Sequence, residues 1–132
     1  MARKLKLTRA EWEIMEAVWK LGGSPSVRDV LEHAYPNGEK AYTTVQTVMN
    51  TLERKGLLGR EKIGLVNFYT PLRPREHLVK AEIRSIVSRI FDGSIPAVAN
   101  SLLSLDDLTI DEIEEIKRIV SKKERELKGG RS

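Results

Sequence analysis

From Trp12 to Leu52 the apolar positions recur at helical spacing, and beyond Gly56 they change to the two-residue period of strands. Thr8-Arg9-Ala10-Glu11 is a capping box, in which the Thr8 hydroxyl accepts from the N3 backbone N–H and Glu11 reaches back to the cap. Behind it Trp12, Met15, Val18 and Trp19, with Ile14, make the inner stripe of a first helix that stops at Gly22-Gly23. Ser24-Pro25-Ser26 opens a second helix to about Ala34, with Ser26 and Asp29 as its capping pair and Val27, Val30 and Leu31 buried. Tyr35-Pro36-Asn37-Gly38 is a turn. A third helix follows, capped by Thr43 with Gln46 at N3, packed through Val45, Val48, Met49 and Leu52, and closed by Gly56. Leu58–Lys62 and Val66–Thr70 then read as two strands around a turn at Ile63-Gly64-Leu65. Three helices and a two-stranded hairpin predict a winged helix-turn-helix whose third helix is the reader. The connection between its second and third helices is longer than in the simplest helix-turn-helix.

The remainder is helical, so the chain is mostly α. Pro71 and Pro74 bracket a short linker, Leu72-Arg73, and divide the chain into residues 1–73 and 74–132. A helix from Arg75 to Phe91 places Val79, Ile83, Ile86, Val87 and Ile90 on one face. Asp92-Gly93 breaks it, and a short helix from Ile95 to about Leu103 carries Val98, Leu102 and Leu103. Thr109-Ile110-Asp111-Glu112 is another capping box. Its helix has the stripe Ile113, Ile116 and Val120, acids in the first turn, and Lys117, Arg118, Lys122 and Lys123 later, with Glu114 and Arg118 as an i, i+4 pair. Lys128 to Ser132 reads as a frayed tail. Three helices in roughly 55 residues do not bury such stripes by themselves. Self-association through 75–91, 95–103 and 109–127 would bury them, making the chain a homodimer with a helical dimerisation domain and two reading helices on one side of a duplex. The alternative, folding back onto the winged domain, is opposed by the linker prolines.

The third helix has an unusual outer surface. Thr44, Thr47, Thr51 and Arg54 share a side, with Gln46 and Asn50 next to them. Surface helices are usually covered with Glu and Lys; Thr, Gln and Asn offer uncharged donors, acceptors and methyl groups, the chemistry of base edges in a major groove. Thr44, Gln46, Thr47 and Asn50 are the candidate base readers. Thr43, Arg54, Lys55, Arg60 and Lys62 are candidate phosphate contacts, although basic residues near a helix C-terminus are favoured by its dipole whatever the function. A protein-docking winged helix is the competing reading, and it would show exposed aromatic or Met anchors on this face instead.

Composition narrows the field. The 132 residues are 40% hydrophobic and 32% charged, with a net charge of +4. All of the excess lies in residues 1–73, with 12 basic against 8 acidic residues, while 74–132 balance at 11 each. That distribution favours a phosphate-bearing partner near the third helix. No apolar run approaches a membrane span and no apolar segment follows the basic N-terminus, so cytoplasmic residence is expected, without membrane insertion. The chain has no cysteine, and its two histidines, His33 and His77, have no carboxylates at ligand spacing on a shared helix face, so neither metal nor cofactor is expected. No nucleophile–base pair, phosphate-binding glycine loop or carboxylate dyad points to an enzyme; Asp106-Asp107 and Glu114-Glu115 fit the start of a helix.

Ala41-Tyr42-Thr43-Thr44-Val45-Gln46-Thr47-Val48, Leu52, Lys55-Gly56, Arg60-Glu61-Lys62 and Tyr69-Thr70-Pro71-Leu72 resemble the penicillinase-repressor family, the BlaI, MecI and CopY types. Thr8, Glu11, Trp12, Met15 and Trp19 fit as well, as does Leu108 through Ile116, so the similarity runs from about Leu5 to Val120. The resemblance implies a homodimeric repressor on a palindromic operator controlling β-lactam or other antibiotic-resistance genes. It carries DNA contact onto Thr43, Thr44, Gln46 and Thr47, and wing–phosphate contact onto Arg60 and Lys62. It also implies a membrane sensor protease as partner, because penicillinase repressors are cleaved at an Asn-Phe bond; registered on Gly93 and Leu108, that bond falls at Ser101-Leu102, with Asn100 one place early. Copper-responsive members carry a cysteine-rich motif that this chain lacks. Many relatives have Arg where this chain has Leu65 at the wing tip and Thr51 on the helix, which places more of the binding on the third helix.

Overall fold

The computed structural model describes residues 6–130. Its elements, in order, are α1 (Arg9–Leu21), α2 (Val27–Ala34), α3 (Tyr42–Arg54), β1 (Leu58–Ile63), β2 (Val66–Pro71), α4 (Arg75–Phe91), α5 (Ile95–Leu103) and α6 (Ile110–Gly129). The order of three helices, a hairpin and three more helices is the one the hydrophobic periods predict. Two compact units divide it, residues 1–86 and 87–132.

In the first unit, the α1 capping box forms as expected. Glu11 N–H donates to Thr8 Oγ1 at 3.1 Å and Thr8 N–H to Glu11 Oε1 at 2.8 Å. Ser26 and Asp29 do the same for α2 at 3.1 and 3.0 Å. The core is built from the inner stripes: Ile14, Met15 and Val18 of α1, Val27 and Val30 of α2, and Val45, Met49 and Leu52 of α3. Leu57, Leu58 and Tyr69 close it from the hairpin, and Leu78 of α4 is buried with them. Trp12 and Trp19 stand at its edge with ring centroids 6.2 Å apart, and the Trp19 indole donates to the Arg73 carbonyl at 3.0 Å.

The hairpin is antiparallel in register from Leu58↔Pro71 to Ile63↔Val66. Its inner strand is stitched to the start of α2. Tyr69 N–H donates to the Pro25 carbonyl at 2.9 Å, Ser26 bridges Phe68, and the Ser24 and Thr70 hydroxyls lie 2.7 Å apart. The wing therefore belongs to the helical body and is not a free flap.

Three local expectations need correction. Thr43 does not cap α3: the cap is Ala41, whose carbonyl accepts from Thr44 and Val45 N–H at 3.1 Å, and no side chain caps this helix. The helix starts earlier than the Thr-x-x-Gln pattern suggests, so Thr43 lies inside the first turn with its hydroxyl free of the backbone. Arg118 pairs with Glu115, three residues back, and not with Glu114. Lys128 is no frayed residue, because α6 continues through Gly129 and Lys128 Nζ reaches Glu124 Oε2 at 3.3 Å. The rest of the expected tail (131–132) and the basic N-terminal segment (1–5) lie outside the described residues.

The second unit has well-formed ends and little interior. Ser94 caps α5 by accepting from Ala97 N–H at 3.1 Å, and Thr109 with Glu112 forms the α6 capping box. Yet no described residue of 87–132 is buried. Ile90, Leu102 and Val120 are exposed, and Val87, Val98 and Ile113 are half-buried; in the α4 segment of the first unit, Ile83 and Ile86 are exposed and Val79 half-buried. Among the described residues no helix is long and apolar enough to cross a membrane.

Candidate nucleic-acid interface

α3 buries Val45, Met49 and Leu52 in the core with Val48 half-buried against it, which leaves its other side chains to form a surface. Thr43, Thr44, Thr47 and Arg54 are exposed, and Gln46 and Thr51 are half-buried. Thr44, Thr47, Thr51 and Arg54 line up as the sequence spacing requires. The Thr51 hydroxyl donates to the Thr47 carbonyl at 3.0 Å and accepts from Arg54 Nη2 at the same distance, so the small Thr51 side chain supports the guanidinium. The result is a ridge of hydroxyls and methyls ending in one cation, with the Gln46 amide on its flank.

Two candidate residues have partners within the fold. Asn50 is half-buried, and its Oδ1 accepts from the Tyr69 hydroxyl at 2.8 Å. Tyr69 is fully buried, and burial raises its phenol pKa, so it remains a hydrogen-bond donor. Asn50 thus ties α3 to the wing through its Oδ1. Tyr69→Phe is expected to cost about 1–2 kcal/mol in urea denaturation. Adding Asn50→Ala to it should cost less than the two separate losses summed, since both remove one bond.

Lys55 is the other. Its Nζ lies 2.8 and 2.9 Å from the carboxylate oxygens of Glu11, the same carboxylate that closes the α1 capping box. Glu11 is only 4% exposed. Burial alone would raise its pKa, but Lys55 and the Thr8 N–H together hold it below the ordinary carboxylate value. Lys55 therefore neutralises a buried acid in the DNA-free protein.

The wing supplies the remaining cations. Arg60 and Lys62 are exposed and alternate along the face of β1 that carries Leu58 and pairs with Tyr69. Arg60 Nε is 3.8 Å from Glu53 Oε1, a loose pair across α3 and β1. Two further residues join the surface. The Arg28 guanidinium of α2 sits 5.3 Å from the Tyr42 ring centre at the start of α3. The periodicity shows each on an outer face, but their meeting depends on how α2 crosses α3, which spacing does not encode.

An α3 with an uncharged polar ridge, beside a hairpin bearing cations, defines a winged helix-turn-helix protein of the DNA-binding type. The chain belongs to the penicillinase repressor family, whose model matches residues 7–122. It is 24% identical over 118 residues to the methicillin resistance regulatory protein MecI of Staphylococcus aureus (strain N315), covering 89% of this chain and 95% of the relative. It is 27% identical over 115 residues to the penicillinase repressor of Bacillus licheniformis, covering 87% and 89%. The solution structure of the DNA-binding domain of the repressor BlaI matches with 29% identity and a TM-score of 0.49, over 57% of this chain and 90% of that one.

Proposed function

We propose that this protein is a transcriptional repressor that binds duplex operator DNA as a homodimer and controls antibiotic-resistance genes. The observation that carries this reading is the exposed, uncharged hydrogen-bonding ridge of α3 in a member of the penicillinase repressor family. The names of the methicillin-resistance and penicillinase regulators among its relatives support the class of gene. Thr44, Gln46 and Thr47 contact base edges: the Gln46 amide suits adenine, and the Thr methyls suit thymine. Thr43, Arg54, Arg60 and Lys62 hold the phosphate backbone and fix register.

Dimerisation falls to residues 74–132. Support comes from the apolar side chains left uncovered on α4, α5 and α6, among them Ile83, Ile90, Leu102 and Val120. A two-fold dimer would present its α3 helices to half-sites about 34–36 Å apart, or a multiple of that. The Ser101-Leu102 bond is exposed in the last turn of α5. It is the proposed cleavage point for a membrane sensor protease, and cutting there would split the dimerisation helices. The cytoplasm is the compartment in which such a repressor would meet its operator.

The test uses a duplex recovered from a randomised pool by the full-length protein. Gln46→Ala should lose about 1–3 kcal/mol of discrimination at one base step while keeping its affinity for random DNA. Lys62→Ala should weaken selected and random duplexes alike and reduce the salt slope by about one. Equal losses on both duplexes for Gln46→Ala would remove it from the reading set.

A further inference from the structure

Within the first unit, the start of α4 is held to α1 by contacts of two different kinds. Leu78, at 1% exposed, is the one described residue of α4 that is buried. Ahead of it, Arg75 Nε donates to both carboxylate oxygens of Glu16 at 3.0 Å, and the Trp19 indole donates to the Arg73 carbonyl at 3.0 Å. Arg75 Nη1 lies 3.8 Å from Glu76 Oε1 on its own helix, beyond hydrogen-bond range, so the cation stays with Glu16. Glu16 and Trp19 are an i, i+3 pair on α1, so both polar ties leave from one side of it. Directly behind the tied segment, His77 N–H donates to the Pro74 carbonyl at 3.0 Å and starts the first turn of α4.

We propose that Glu16 and Arg75 are positioning residues that fix the direction in which α4 leaves the winged helix, and thereby the half-site spacing that the protein accepts. The proposal rests on the dimeric repressor reading set out above. Arg75 and Leu78 are themselves an i, i+3 pair, so they meet α1 from the same side of α4. A helix held by one buried side chain can tilt about it; a second tie almost a turn away removes that freedom. The Arg75 and Glu16 side chains are 50% and 33% exposed, so the pair adds little to the stability of the fold. A contact too weak to hold a domain together is still strong enough to select one tilt among several of nearly equal energy. Direction is what this pair governs.

The lengths match the demand. From Leu78 to Ile86, still within the first unit, α4 runs about 12 Å at ~1.5 Å per residue. Tilting it by about 15° around Leu78 displaces that end by about 3 Å, close to the ~3.4 Å step between base pairs. A swing of ordinary size therefore amounts to one base pair of operator spacing. In a two-fold dimer each α3 depends on such a lever, so a fixed tilt admits one spacing and a free tilt admits several. Neither Glu16 nor Arg75 belongs to the reading ridge of α3 or to the cations of the wing, so spacing and base reading rest on different residues.

The full-length protein and its selected duplex provide the test, with one base pair added or removed between the half-sites. The wild-type protein should lose about tenfold in affinity for either change, and Arg75→Ala no more than about threefold. Arg75→Ala should keep the wild-type affinity for a duplex carrying a single half-site, and the wild-type melting temperature. The exchange Glu16→Arg with Arg75→Glu rebuilds the pair in reverse and should restore the full penalty. If the exchange leaves the spacing relaxed, the effect of alanine does not come from the pair and the proposal is overturned. If Arg75→Ala keeps the wild-type penalty, the positioning role is refuted and the dimeric repressor stands. If Arg75→Ala weakens the single half-site as much as the full duplex, the pair serves the winged helix itself, and the proposal is again overturned. If the wild type binds every spacing equally, the dimeric reading falls and the positioning role falls with it.

Discussion

Glu11→Ala will lower the stability of the winged helix by about 3 kcal/mol, read as a shift in the urea midpoint at constant slope. One carboxylate serves two ends of the chain: it accepts from Thr8 N–H to close α1, and it accepts the Lys55 ammonium just past α3. Loss of the cap alone is worth about 1 kcal/mol. The rest comes from leaving the Lys55 ammonium without its carboxylate, moderated because the Lys55 side chain is 34% exposed and can turn to water. Glu11→Gln should cost roughly half as much as the alanine change, since its carbonyl keeps the cap and only the charge is lost. The same pair sets a pH dependence. The Glu11 carboxyl titrates below its ordinary value of 4.5 when folded, so its stabilisation is complete above that pH and is lost as pH falls through the lower folded value. Glu11→Gln should therefore flatten the acid limb of the stability profile. A Lys55→Met protein should be less stable yet show an unchanged salt slope on DNA; a slope reduced by about one would return Lys55 to the phosphate-binding set.

Leu52→Ala should cost a similar amount, about 3 kcal/mol, for a different reason. Leu52 is fully buried at the meeting of α3 with the hairpin, where its carbonyl also accepts from Leu57 N–H at 3.0 Å. Truncation removes three carbons from the core and leaves a cavity that the surrounding helices fill only in part. Because α3 carries the reading ridge on its other side, the loss reaches function. Thermal melting should show the destabilisation, and base discrimination should weaken at several steps together, unlike the single step affected by Gln46→Ala. A Leu52→Met protein, which nearly conserves volume, should retain most of both.

The fold was legible because each element announces itself locally. The Thr8–Glu11 and Ser26–Asp29 boxes, Gly56 after α3, and the change of period at Leu58 all act within a few residues, and the structure uses each of them. The start of α3 was not legible. Thr43 and Gln46 carry a capping signature, but the chain leaving Lys40 takes up the helical path early, and the Ala41 carbonyl receives the first bonds. At the site, the outer face of α3 followed from the inner one, so Thr44 and Thr47 were placed by elimination. The intramolecular partners of Asn50 and Lys55, Tyr69 and Glu11, are not legible because they lie 19 and 44 residues away. Spacing along a helix shows which side a residue takes, but not what a hairpin or a distant helix brings to meet it. Arg28 and Tyr42 were overlooked for the same reason.

Leu78 has a practical consequence for anyone wishing to transplant the DNA-binding half onto another protein. The prolines at 71 and 74 look like the place to cut, yet Leu78 fills the core beyond them, and Arg75 Nε holds both oxygens of the Glu16 carboxylate at 3.0 Å. A portable module has to end inside α4. What continues from it is then the middle of a helix, because α4 runs from Arg75 to Phe91. Every residue added or removed at that splice would turn the fused partner by about 100° and move it about 1.5 Å along the axis. The aim of the graft is thus set in steps of single amino acids.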